Sequence, residues 1–130
     1  MKTFYIDTNA ILRFILKDNL AQHSQTKALF EQAQQGRINI ILLNEVLVEL
    51  SYVLTKVYRV EKSKCTEILL TLVESEYITL ATNEKAVMIY ALNIYAKNNI
   101  DIVDSILFAY ARMNNHEVFS FDRDYKKIKE

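Results

Sequence analysis

Short β-branched and aromatic runs alternate with longer runs of helical period through almost the whole chain, and that alternation is its strongest constraint. Thr3 to Ile6 reads as a first strand. Asp7-Thr8-Asn9 offers capping oxygens before a helix from Ala10 to Leu16. A second helix is expected from about His23 to Gln35, stopped by Gly36. Asn39 to Leu43 reads as a buried strand, Glu45 to Tyr58 and Ser63 to Glu74 as helices, and Tyr77 to Leu80 as a strand. Asn83 is expected to cap a helix through Lys97, and Asp101 one through Met113. Val118 to Phe121 reads as a last strand, followed by Asp122-Arg123-Asp124 and a basic tail. Such a chain predicts an α/β domain with a mostly parallel sheet. Sites in these sheets form at the carboxyl ends of the strands.

At 130 residues, half of them apolar, one domain with a sizeable core is expected. There is no proline and only one glycine, Gly36, so asparagine must carry much of the turn chemistry. No apolar stretch approaches the length of a membrane span, and the start does not read as a secretory signal. Cys65 is the lone cysteine, which makes a reducing cytoplasm the simplest compartment. Sixteen basic and sixteen acidic side chains argue against binding nucleic acid by bulk charge, but not against contact with a few phosphates. Two local basic clusters stand out: Lys56, Arg59, Lys62 and Lys64, and then Arg123, Lys126, Lys127 and Lys129. Each can also be read as a solvated helix end.

Four carboxylates occupy unusual places. Asp7 and Asp122 each follow a strand at the expected carboxyl edge, although each alone could be a simple helix cap. On a helical wheel Val46, Leu50, Val53, Leu54 and Val57 form an apolar arc. Glu49 lies at its border, half turned inward or snorkelling out, while Glu45 can reach water. Asp104 shares a face with Leu107, Phe108 and Ala111, where a carboxylate is costly unless paired or metal-bound. Its structural alternative is a favourable place at the helix N-terminus. Converging acids repel one another, and a divalent cation relieves that repulsion. Oxygen-only donors favour Mg²⁺ or Mn²⁺ over zinc. Such ions suit phosphodiester hydrolysis. There is no Gly-rich phosphate loop, nucleophile elbow or Cys–His arrangement to suggest other chemistry.

Four segments, in order, resemble the motifs of the PIN-domain family: Phe4-Tyr5-Ile6-Asp7-Thr8-Asn9, Leu43 to Leu50 ending around Glu49, Asp101-Ile102-Val103-Asp104-Ser105, and Val118 to Tyr125 around Asp122. The resemblance covers nearly the whole chain. It implies a three-layer α/β/α sandwich and Mg²⁺- or Mn²⁺-dependent cleavage of RNA. It assigns Asp7, Glu49, Asp104 and Asp122 to an acidic pocket, with Asn9 and Ser120 as polar support and Asp101 and Asp124 as weaker candidates. Ser120 stands where Thr is more usual, and Ser105 where Ala is. The small single-domain form resembles the VapC toxins of toxin–antitoxin pairs, which implies a homodimer and a cognate antitoxin that blocks the pocket. RNA is expected to approach beside Lys56, Arg59 and Lys62. Two alternatives stand: a PIN fold used only for RNA processing or binding, and a phosphoacceptor signalling domain. The latter would want paired acids after strand one and a lysine near the end of the last strand.

Overall fold

A computed structural model describes all 130 residues. Its order is β1 (Lys2–Tyr5), α1 (Thr8–Leu16), α2 (Leu20–Gln34), β2 (Ile38–Leu42), α3 (Asn44–Tyr52), a π-helical turn (Val53–Val57), α4 (Lys62–Glu74), β3 (Ile78–Leu80), α5 (Lys85–Lys97), α6 (Ile102–Met113) and a 3₁₀ turn (Arg123–Lys127). The fold is an α/β/α sandwich around a short parallel sheet of order β1-β2-β3. Phe4 pairs with Ile40, and Ile40 with Ile78. Backbone bonds from Ile6 to Ile41 and from Ala81 to Leu42 carry the ladder just past the strand ends.

The central strand β2 is the apolar axis of the domain. Ile38, Ile40 and Leu42 are buried, and Leu47, Leu50, Leu54, Leu69, Leu80 and Leu92 complete the core around them. Truncating one such leucine to alanine costs roughly 2–5 kcal/mol. The helices α4, α5 and α6 pack on one another in sequence, α1 packs on α2, and α3 contacts α1, α4 and α6.

Several boundaries differ from the sequence reading. Helix α2 begins at Leu20, because Asn19 Oδ1 accepts the Gln22 amide at 3.0 Å. Asn83 is not a cap: it takes φ 56° in the preceding turn, and α5 follows Glu84. Left-handed turns also fall on Lys17, Arg59 and Asn115. The expected last strand does not form. Residues 116–120 belong to no element, and the sheet ends on β1. Phe119 and Phe121 are 84% and 96% exposed. Two phenylalanines favour extended backbone, but without a neighbouring strand they gain no ladder bonds.

The helix after β2 departs from the regular wheel. At its C-terminal end the Tyr58 amide bonds Val53 O at 3.1 Å, an i→i+5 bond. Such a bulge breaks the 3.6-residue period. Val57, placed in the apolar arc by the wheel, is therefore 66% exposed, while Leu54 stays buried.

Candidate functional site

The acids reach the surface from four parts of the chain. Asp7 follows β1 and opens α1. It is a true N-cap, since its Oδ1 accepts the Ala10 amide at 2.8 Å. Glu45 and Glu49 lie on α3, which leaves the carboxyl end of β2. The buried side of α3 is Leu47, Leu50 and Ser51, so Glu49 is exposed rather than half turned into the core. Of the two positions the wheel left open, the outward one is taken: Val46 and Val53 are only half-buried, and Leu47 carries the packing. Asp7, Asn9, Glu45 and Glu49 line one shallow cleft of about 230 Å³.

Asp101 and Asp104 sit at the start of α6. The packed side of that helix is Ile102, Ser105 and Ala109; Leu107 is 49% exposed. Asp104 is half-buried at the border rather than on a core face. Ser105 is fully buried, and its hydroxyl donates to Asp101 O at 3.2 Å. A small residue is needed there, and the hydroxyl that distinguishes serine from alanine is satisfied locally. Asp101 is the N-cap residue by backbone, but its side chain makes no capping bond.

The fourth part is the tail. Ser120 Oγ accepts the Asp122 amide at 3.0 Å, and Asp122 Oδ1 accepts the Asp124 amide at 2.9 Å. The Tyr125 hydroxyl donates to Asp104 Oδ1 at 2.8 Å. Burial and the adjacent Asp104 carboxylate push the Tyr125 phenol up to about 12. Asp101, Asp104, Asp122 and Asp124 thus line a second, polar cleft of about 330 Å³, with Tyr52 and Lys56. Burial first, then Asp101 and Asp104, raises the Tyr52 phenol above its ordinary value.

The four principal acids therefore stand in two groups, Asp7 with Glu49 and Asp104 with Asp122. No three acidic, histidine or cysteine side chains are close enough to share one ion. The donor chemistry is nonetheless that of a hard-cation site. The chain's ion pairs are Arg13–Asp18, Lys64–Glu67 and Arg112–Glu130, and none neutralises these carboxylates. A Mg²⁺ ion that keeps several waters needs only one or two carboxylates. The placement suits such partly hydrated ions and not a closed all-protein cage.

The sequence patch of three basic residues is divided. Lys56 is exposed and lines the polar cleft. Arg59 turns the chain at φ 57° and lines neither cleft. Lys62 lines the polar cleft but is already occupied, donating to Asn98 O at 2.5 Å and Ile100 O at 3.1 Å. Burial lowers its ammonium pKa, an effect partly offset by Asp101.

Residues 4–130 match the family model described as PIN domain. The chain belongs to the PIN-domain family. This PIN domain is 26% identical over 124 residues to a VapC ribonuclease of Aquifex aeolicus (strain VF5), covering 95% of this chain and 90% of the relative. No solved structure matches significantly. The family match sets aside the phosphoacceptor alternative, and no helix of this PIN domain is long and apolar enough to cross a membrane.

Two contributors escaped the sequence reading. Tyr125 appeared there only as the aromatic end of a motif, though its place three residues after Asp122 was a signal. Tyr52 lies on the same helix as Glu49, three residues on, and lines both the polar cleft and the apolar groove beside it. The i, i+3 spacing placed it next to Glu49 from the start.

Proposed function

We propose that this PIN domain is a Mg²⁺- or Mn²⁺-dependent endoribonuclease and the toxin of a toxin–antitoxin pair. The observation that carries the reading is the set of exposed or half-exposed carboxylates that no Lys or Arg side chain neutralises. Asp7 and Glu49 would hold a cation on one side, and Asp104 and Asp122 on the other. When bound, the ion supplies an activated water and stabilises charge on a phosphoryl oxygen. Asp7 is fixed by its capping bond and Asp104 by Tyr125, each through Oδ1, which leaves Oδ2 of each free to bind. Lys56 at the cleft wall offers a phosphate contact, and Asn9 and Ser120 support the two groups from the α1 and tail sides.

The toxin assignment rests on the likeness to a VapC ribonuclease over nearly the full length of both chains. A nuclease that cuts RNA in its own cell needs an inhibitor there. The partner expected is a short antitoxin with a basic residue that enters the acidic pocket, because unpaired carboxylates accept a guanidinium well. A homodimer is the expected assembly, closed two-fold association being the commonest.

The spread of the acids over two clefts favours one competing reading, a PIN fold that binds RNA without cutting it. Incubating a mixed RNA pool with the protein and Mn²⁺, against an Asp7→Asn control, decides between them. Cleavage by wild type alone supports the nuclease. Binding without cleavage overturns it.

A further inference from the structure

Lys62 opens α4, yet its ammonium is turned away from solvent. Nζ reaches across to the turn after α5, where it meets the carbonyls of Asn98 and Ile100 at 2.5 and 3.1 Å, and it lies 4.2 Å above the Tyr95 ring. Asn98 is the C-cap of α5, where a cation suits the helix dipole, and Ile100 lies in the turn beyond. An ammonium has three donors. Two are spent on carbonyls, and the ring face takes the remaining direction. A phosphate contact would require these bonds to break first.

Asn98 is used from its other side as well. Its Nδ2 donates to Ile94 O and to Lys129 O, both at 2.9 Å, and its Oδ1 accepts the Lys129 amide at 2.8 Å. The carboxamide thus grips the backbone of the tail in both directions. A three-residue turn, 98–100, is bound to α4 through Lys62 and to the tail through Asn98. Helix α6, with Asp101 and Asp104, begins where that turn ends. The gripped tail carries Asp122 and Asp124, and Glu130 fastens it further to Arg112 and Tyr90.

We infer that Lys62 and Asn98 are positioning residues, which hold the α6 acids and the tail acids facing one another across the polar cleft. Lys62 acts through the turn and never touches RNA. This deepens the nuclease reading and rests on it for any effect on rate, but the coupling itself is measurable without catalysis.

The test compares Lys62→Met, Lys62→Arg and Asn98→Ala with wild type by amide hydrogen exchange, and by RNA cleavage at several salt concentrations. Lys62→Met speeds exchange in residues 98–104 and 122–130 above that in β2. It lowers kcat on the order of tenfold or more, the scale expected of misplaced reacting groups, with KM and the salt dependence of RNA binding unchanged. Lys62→Arg, which keeps a charged donor, restores most of both. Asn98→Ala, which spares the Lys62 bonds to backbone carbonyls, loosens 122–130 by itself. A raised KM with a flatter salt dependence and unchanged kcat would make Lys62 a phosphate ligand and overturn the inference. So would uniform loosening of the whole chain by Lys62→Met, or unchanged tail exchange in Asn98→Ala. If wild type cuts no RNA, the nuclease reading fails, and the exchange results alone decide the coupling.

Discussion

The phenol of Tyr125 donates a 2.8 Å hydrogen bond to Asp104 Oδ1, tying the 3₁₀ turn of the tail to the first turn of α6. The bond is partly buried, so Tyr125→Phe is expected to lower stability by about 1 kcal/mol. Its pH dependence has a definite sign. The folded state holds the phenolic proton more tightly than the ordinary value of 10.0, up to about 12. The contribution is therefore complete below pH 10 and is lost as pH rises through about 12. Urea melts of both proteins from pH 7 to 11.5 check this: their difference should hold steady to pH 10 and then shrink.

Asp104→Asn should raise the melting temperature of the metal-free protein by a few degrees and abolish cleavage. Asp101, Asp122 and Asp124 line the same cleft, so removing one charge relieves like-charge repulsion. The asparagine carbonyl can still accept from Tyr125. A lower melting temperature would show that the carboxylate is needed for folding. Added Mn²⁺ should stabilise wild type more than the variant, which keeps only the Asp7 and Glu49 group intact.

Glu49→Gln is expected to lose most activity, and Glu45→Gln to keep most of it. Burial does not separate the two, since both are exposed and both line the cleft beside Asp7. The distinction rests on motif position. Equal losses in a cleavage assay would mean that both carboxylates serve the cation.

Lys56→Ala should reduce the slope of log affinity for RNA against log salt by roughly one. Lys56 is exposed at the wall of the polar cleft. Arg59→Ala, on a residue lining neither cleft, should leave the slope as it is. Filter binding over a range of salt concentrations measures both, and a reversed order would move the RNA path to the other side of the Val53–Val57 turn.

Most of the architecture was legible because it is written in local pattern. The three strands, the helices and the cap at Asp7 all follow from periodicity and from residues within a few positions. What failed depends on partners. Val118 to Phe121 has strand composition, but a strand exists only by pairing, and propensity does not name a neighbour. The wheel on α3 assumed a regular helix, and the i→i+5 bond from Tyr58 to Val53 displaced Val57 from its expected side. The site was legible as a set of residue types and not as an arrangement. Asp7 and Asp122 were expected at one sheet edge, yet without the last strand Asp122 is held instead by the tail, near Asp104. The grip of Asn98 on Lys129 spans 31 residues and has no local signature.

The chain makes all its turns without a single proline, using Lys17, Gly36, Arg59, Asn83 and Asn115 in left-handed conformations. The consequence is kinetic. X–Pro bonds are the usual source of slow heterogeneity in unfolded chains, since their cis and trans forms exchange over tens of seconds or longer. Here the denatured population has no such subpopulations to sort. Every molecule diluted from denaturant starts from the same set of trans peptide bonds, and the strand order follows the chain order, so refolding is expected to finish in one fast phase. A double-jump experiment should give the same trace after a brief or a long incubation in denaturant.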